Sequence, residues 1–544
     1  MCRASPSTVS CRASLSGEPM ARASRIAAVM AAARMARSLQ AFLLAATVAS
    51  CHAATRAPAG GIGLKPDAAE GIETASTAVA QLRRDIDALF ADPALARGFW
   101  GVLIKSLKTD ETLYTLNARK LMMPASNMKI VTLAAAVEKL GWDYTYETTV
   151  RIAGRIDNGV LEGDLVVVGS GDPSLMAADG SADRLFSRWA GQLEAAGVRS
   201  IAGRIVGDDN TFDDETLGFG WSWDDLPDDY AAGVGALQLN EDAVRITVVP
   251  GAAAGDVAGI SVVPAASGLS VDNDVTTSAA GLPPSIAARR LPGSPRLTLR
   301  GTIALGAAPI VESVAVDNPT LFFVSAFRSA LIANGIDVRG PAVDIDDIRD
   351  APARSDGRTI VAYRSPPLSA LADRLMKASQ NQYAETLLKT IGLSAGAATA
   401  VNGRTAVQAI LQPWGVAPSE VIQRDGSGLS RYDYVTPEAL VTILAHVDRD
   451  PRLSAPFVAS LPIAGRDGTL SNRMKGTAAE NNARAKTGSM SNVRALSGFV
   501  TTADGERVVF SIIANNFDAP AETINHTADA VVVRLATLSR SKRP

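Results

Sequence analysis

The chain has 544 residues, 47% of them hydrophobic by the broad count and 20% charged, with 5% aromatics and a formal net charge of −3. That is a globular composition, with material for three or four units of about 150 residues each, and it makes no electrostatic case for nucleic acid. Three histidines (His52, His446, His526) and three cysteines (Cys2, Cys11, Cys51) leave a zinc ribbon, a zincin helix or an iron–sulfur cluster short of ligands. Chemistry without histidine, metal or other cofactor is the expectation.

Residues 1–53 are read as an export region. Arg34 and Arg37 precede the apolar run Ala41 to Ala49 and a set of small residues, the layout of a cleavable secretory signal. At about nine residues the run is too short to cross a bilayer. Val48-Ala49-Ser50-Cys51 resembles a bacterial lipobox, which would place a lipid on Cys51, whereas cleavage near Ala53 or Ala54 would leave a soluble chain. With every cysteine at or before position 51, the mature body needs no disulfide. The expected location is the periplasm, with membrane contact only peripheral or through that lipid.

Residues 54–79 are small, Gly-rich and aperiodic and read as a linker. A first α/β part, residues 80–143, opens with helical periodicity over Ala80 to Leu89. The alternating runs FWGVLIKSL and ETLYTLNA then read as a hairpin, and Ser126 to Leu140 as a helix stopped by Gly141. From Tyr144 the texture turns to strands punctuated by Gly and Asp, so residues 144–312 are read as a β-rich insertion of one or two subdomains. Helical texture returns at Thr320 to Asn334, Leu368 to Ile391, Ala406 to Leu411 and Pro437 to Val447. A hairpin about Asp504-Gly505 and a last helix, Ala521 to Leu538, complete a second α/β part, residues 313–540.

Three short motifs carry chemistry. Ser126 and Lys129 lie one helical turn apart, so a neutral amine can take the proton of a hydroxyl placed at a helix start. Lowering a lysine pKa from about 10.4 to about 7 costs roughly 4 to 5 kcal/mol, which burial and a second cation can supply. Lys486-Thr487-Gly488 stands before the last hairpin, where glycine admits a ligand backbone and lysine and threonine can bind a carboxylate. Ser379-Gln380-Asn381 falls between two helical runs and offers a hydroxyl and an amide. Each motif alone is common; Ser539 to Lys542 repeats the first by chance.

In this order the three resemble the Ser-x-x-Lys, Ser-x-Asn, Lys-Thr-Gly set of penicillin-binding proteins and serine β-lactamases. The roughly 250 residues between Lys129 and Ser379 are too many for a compact β-lactamase. They make the chain similar to the D-alanyl-D-alanine carboxypeptidase/endopeptidase family, the class C low-molecular-mass penicillin-binding proteins. Leu161 to Leu175, Ile205 to Phe212, Asp425 to Arg431 and Leu461 to Leu470 are further family-like stretches, and the likeness runs from about residue 80 to 538. Gln380 occupies a position the family varies.

The resemblance implies an α/β (α+β) transpeptidase/β-lactamase-like domain split by the β-rich insertion. It makes Ser126 the nucleophile on the carbonyl between two D-alanines, Lys129 its base, Ser379 with Lys486 a proton relay, and Asn381 a tether for Lys129 and a substrate amide. The N–H groups of Ser126 and Ser489 would form the oxyanion hole, and Thr487 and Ser489 would bind the terminal carboxylate beside Gly488. Peptidoglycan stem peptides are the implied substrate and β-lactam antibiotics covalent inhibitors. Among the acidic residues between Asp208 and Asp229, Asp208 is the counterpart of a family contact to the stem-peptide side chain; the others read as a solvated face, since no EF-hand pattern is present. His446 and His526 read as structural. A β-lactamase or esterase on the same scaffold, or a wall-binding protein with a silent site, are the competing readings.

Overall fold

The computed structural model describes residues 66–176, 180–352 and 357–540. The expected export signal and the lipid on Cys51 lie outside the described residues. The chain enters through α1 (Pro66–Phe90), so much of the expected linker is helix. Proline suits a first helical turn, where its missing N–H is not needed, and the Asp-Ala-Ala-Glu run after it is helix-forming.

The hairpin β1 (Phe99–Ser106) and β2 (Thr112–Leu116) follows as expected, and then α2 (Met128–Leu140). The insertion begins with β3 (Glu147–Asp157) and β4 (Val160–Val168), α3 (Ser181–Ala195), β5 (Ser200–Ile201) and β6 (Ile205–Asp208). After a long loop come β7 (Ala243–Val249), β8 (Gly259–Val263), β9 (Ser270–Ser278), β10 (Ser285–Arg290), β11 (Arg296–Ala304) and β12 (Ile310–Ala315). The helix α4 (Pro319–Ala333) and strands β13 (Asp337–Val338), β14 (Ala342–Asp344) and β15 (Arg358–Arg364) end it.

The insertion therefore does not stop at residue 312. β15 pairs with β3, and Phe322, Phe323, Phe327 and Leu331 of α4 are buried with Phe186 and Trp189 of α3. One apolar core joins residues of all three of its sheets, including Val167, Val244, Val275 and Leu299. Helical texture at 320–334 was a poor guide to the boundary because a helix packs on a sheet in either unit; the apolar face of α4 decides which.

The chain then returns through α5 (Leu368–Lys377), α6 (Asn381–Gly392), α7 (Ala400–Leu411), the short strands β16 (Val421–Ile422) and β17 (Tyr434–Val435), α8 (Pro437–Arg449) and α9 (Ser454–Ser460). It closes with β18 (Arg484–Met490), β19 (Val493–Thr501), β20 (Arg507–Asn515) and α10 (Ala521–Thr537). These strands complete an antiparallel sheet in the order β18-β19-β20-β1-β2.

Strand alternation divides this sheet into two layers. Val102 and Ile104 of β1 and Val508, Phe510 and Ile512 of β20 face a core closed by α1 and α10. Leu103, Val509 and Ile513 face the opposite core, built from α2 and α5 to α9. In α2 every residue from Met128 to Val137 is buried. A helix buried all round belongs at the centre of a domain, and its two polar residues in that stretch, Lys129 and Thr132, are buried with it.

Candidate active site

Ser126 lies in a single 3₁₀ turn, Ala125–Asn127, that leads into α2. The preceding Ala125 has φ 46°, a left-handed conformation that costs a non-glycine residue free energy. Two glycines make room for it. A Cβ on Gly428 would sit 1.9 Å from the carbonyl oxygen of Ala125, and one on Gly488 would sit 2.5 Å from that of Pro124. The glycine of the Lys-Thr-Gly motif is thus required where edge strand β18 meets the Ser126 turn. From the other side, Asn127 donates to Ser497 Oγ at 2.7 Å, pinning the turn to β19.

One helical turn on, Lys129 Nζ stands 2.9 Å from Ser126 Oγ, 2.6 Å from Asn381 Oδ1 and 3.0 Å from the carbonyl of Ser427. The side chain is fully buried, and burial brings its pKa down to about 7. The carboxylates of Asp425, Glu385 and Asp433 oppose that fall. Lys486 is equally buried and sits 2.8 Å from Ser379 Oγ. Burial, and after it the charge of Lys129, holds its pKa well below the usual lysine range. The second cation thus acts on Lys486; Lys129 owes its shift to desolvation.

Ser379 occupies the corner between α5 and α6 with φ 61°. Gln380 caps α6 by accepting from the N–H of Gln382, and Asn381 begins the helix. The Asn381 amide is used at both ends, Oδ1 toward Lys129 and Nδ2 donating at 2.7 Å to the carbonyl of Tyr230 in the insertion. Thr487 donates to Thr469 Oγ1 at 2.7 Å, so the Leu461 to Leu470 stretch buttresses β18. Ser489 is exposed at the far end of the strand.

The fold brings Ser126, Lys129, Ser379, Asn381, Lys486, Thr487, Gly488 and Ser489 to one place. It does not bring Asp208 there. That residue ends β6, is 1% exposed, and is absent from the walls of the cleft. The cleft, about 380 Å³, is walled by Ser222, Asp224, Asp225 and Tyr230 of the insertion, by Gly428, Leu429 and Arg431, and by the end of β18. Asp224 and Asp225 are the insertion carboxylates that line it. His446 stacks on Trp414 at 4.1 Å, and His526 faces Glu522 on α10.

Other groups that shape the site were not anticipated. Glu385 is buried and accepts the N–H groups of Gly426 and Ser427, both at 2.8 Å, which aims the Ser427 carbonyl at Lys129. Asp425 accepts from the N–H of Gly428 and of Ser430 at 2.6 Å and from the Trp221 indole at 2.9 Å. Burial, reinforced by Asp425, raises the Glu385 pKa. Glu385 stands four residues after Asn381, a spacing that puts both on one helix face. Tyr230 acts through its backbone and left no side-chain signal to find.

A serine beside a buried amine with a depressed pKa, an acceptor that fixes the amine, and an edge strand alongside are equipment for nucleophilic attack by an activated hydroxyl. The profile of the D-Ala-D-Ala carboxypeptidase 3 (S13) family matches residues 82–538. A D-alanyl-D-alanine carboxypeptidase of Actinomadura sp. (strain R39) is 36% identical over 477 residues, 85% of this chain and 86% of that protein. The D-alanyl-D-alanine carboxypeptidase DacB of Haemophilus influenzae is 28% identical over 422 residues, 77% of this chain and 85% of its own length. The crystal structure of penicillin binding protein 4 (dacB) from Haemophilus influenzae superposes with a TM-score of 0.74 at 26% identity, covering 83% of this chain and 99% of that one. The same protein complexed with a β-lactam matches with a TM-score of 0.68.

Proposed function

The chain belongs to the D-Ala-D-Ala carboxypeptidase 3 (S13) family, and from that premise we propose that it is an exported serine D,D-peptidase acting on peptidoglycan stem peptides through an acyl-Ser126 intermediate. Its substrate bonds are the terminal D-Ala-D-Ala bond, the D-Ala cross-link between stems, or both. The observation that carries this reading is the 2.9 Å approach of a buried Lys129 Nζ to Ser126 Oγ.

As the Ser126 Oγ–C bond forms, the hydroxyl proton passes to neutral Lys129. The oxygen of the tetrahedral intermediate takes hydrogen bonds from the N–H groups of Ser126 and Ser489, each such donor typically worth roughly 2.7 to 4 kcal/mol. Collapse breaks the C–N bond, and the proton that Lys129 took passes to the leaving amine by way of Ser379, which Lys486 holds at 2.8 Å, so Lys129 is neutral again. Thr487 and Ser489 hold the departing carboxylate. Water then attacks the acyl carbon as neutral Lys129 takes its proton, and Lys129 returns that proton to Ser126 Oγ as the Oγ–C bond breaks, restoring the hydroxyl and the neutral amine. A β-lactam acylates the same oxygen; the related penicillin binding protein 4 crystallised with a β-lactam supports this step.

Fluorescent penicillin should label the wild-type chain at Ser126 and fail to label Ser126→Ala. Digesting monomeric and cross-linked muropeptides, with products resolved by mass, separates loss of D-Ala from cleavage of the cross-link. Rapid nitrocefin turnover with no D-Ala released would replace this reading by a β-lactamase.

A further inference from the structure

We propose that the outer lip of the cleft is a saccharide platform, on which exposed aromatic rings stack against an N-acetylated amino sugar of the glycan that carries the stem peptide. The inference rests on the reading of the cleft as a stem-peptide site and extends it to the other end of the substrate.

Among the described residues the strongly exposed aromatic side chains are Phe99, Phe219, Trp223, Tyr230 and Tyr432. A single exposed ring is ordinary; four of these five crowd one lip. Trp223, 60% exposed, stands between the cleft-lining Ser222 and Asp224, and Tyr230 lines the cleft itself. Tyr432 follows the cleft-lining Arg431 and meets Phe219, 63% exposed, with ring centroids 5.6 Å apart. Gly220 lets the two segments close, since a Cβ there would lie 2.4 Å from the Tyr432 ring. Arg424 covers Phe219 with its guanidinium carbon 5.8 Å from the ring centre. The lip is therefore built jointly by the insertion and by the loop that ends in Tyr432, and it continues directly from the cleft.

Charge selects the occupant. Around the rings the insertion has no Lys or Arg and carries Asp224, Asp225, Asp228 and Asp229, with Asp224 and Asp225 on the cleft wall. Set against the two guanidiniums of Arg424 and Arg431, these four carboxylates leave the lip net acidic, which disfavours anionic lipid headgroups and nucleic-acid phosphates. A neutral pyranose has what the lip can hold, an apolar C–H face for the rings and hydroxyls that donate to Asp224 and Asp225.

The test compares a free pentapeptide ending in D-Ala-D-Ala with the same peptide on its disaccharide of two N-acetylated amino sugars, and titrates the peptide-free disaccharide by NMR. The sugar should raise kcat/KM by about tenfold, the equivalent of one modest contact surface. Trp223→Ala and Phe219→Ala should remove that gain while leaving hydrolysis of the free peptide unchanged, which also reports that both variants fold. Equal kcat/KM for the two substrates, or a gain that survives both variants, overturns the platform. So does binding to phosphatidylglycerol vesicles that Trp223→Ala abolishes, with no effect of sugar. If neither substrate is hydrolysed, the peptidase reading fails, and the disaccharide titration still decides the platform: shifts in the Trp223 indole signal uphold it and their absence ends it.

Discussion

Glu241, in a turn of the insertion, holds Arg374 of α5 with both carboxylate oxygens, at 2.6 and 2.8 Å. Asn240, Glu241 and Asp242 are all left-handed, with φ of 56°, 58° and 51°, and Asp242 accepts from Gln382 of α6. Arg374 and Gln382 lie on either side of the Ser379 corner, so one strained turn grips both helices that meet there. Strain of this kind persists only where surrounding contacts enforce it. Glu241→Ala and Arg374→Ala should each slow acylation by a β-lactam, and the double variant should be no slower than the worse single one, a coupling of about 1 kcal/mol for a buried carboxylate on a half-exposed arginine. Additive losses in stopped-flow acylation rates would show that the pair does not act as a unit.

Lys129 must be neutral to take a proton, and burial sets its pKa to about 7. Acylation should therefore rise with pH through an acid limb near 7. Stability follows the same group: between about 7 and 10.5 the unfolded chain holds a proton that folded Lys129 has lost, so this site's contribution becomes more favourable as pH rises across that window. Lys129→Ala should lower the acylation rate by about 10² to 10⁴-fold. Labelling by fluorescent penicillin at wild-type speed would remove Lys129 as the base.

Glu385→Gln replaces one acceptor of the Gly426 and Ser427 N–H groups by a donor. Because burial raises the Glu385 pKa, the change acts on hydrogen bonding and on the aim of the Ser427 carbonyl more than on charge. Lower kcat with little change in KM is expected, with the acid limb left near 7; a KM that rises as much as kcat falls would point to a disordered cleft instead.

Gly488→Ala should force β18 and the Ser126 turn apart, because its Cβ meets the Pro124 carbonyl oxygen at 2.5 Å. A stability loss of roughly 1–3 kcal/mol and near-complete loss of penicillin labelling are expected. Gly191 in α3 has nothing within 4 Å of such a Cβ, and Gly191→Ala should stabilise by up to about 1 kcal/mol. Thermal unfolding of the two variants in parallel separates close approach from glycine content.

Away from the cleft, Asp209, Asp344 and Asp346 place their carboxylate oxygens within 4.8 Å of one another. Burial raises all three pKa values, that of Asp209 to about 6. The folded state therefore holds protons the unfolded chain has released, and this cluster's contribution to stability falls as pH rises from about 4 to about 6. Asp346→Asn relieves one repulsion and should raise Tm by about 1–3 °C at pH 7 and much less at pH 4. Equal shifts at both pH values would rule out charge as the cause.

Ser379, Asn381 and Lys486 were legible in the sequence through the ordered resemblance of the three motifs to a known family, whereas Ser126 and Lys129 were legible because their one-turn spacing has a geometric reason. The hairpins and α2 were legible for the same cause, period 2 and period 3.6 being local properties. What escaped depends on tertiary placement. Among the many acidic residues of the insertion, only the fold distinguishes Asp208, sealed at the end of a central strand, from Asp224 and Asp225 on the cleft wall. The insertion boundary was missed because α4 declares itself a helix in sequence and reveals its partner only by packing on α3. Tyr230 contributes a carbonyl, which every residue has.

The pairing of β1 with β20 joins Phe99 to Asn515, nearly opposite ends of the described chain. Contacts so far apart in sequence carry the largest loop-closure entropy and form late. During synthesis the serine and its lysine emerge early, but the strand that bounds their cleft and the sheet that backs it are made last. A nascent or incomplete chain therefore holds both reacting groups without a surface to assemble them, and reactivity arrives only with the final hairpin.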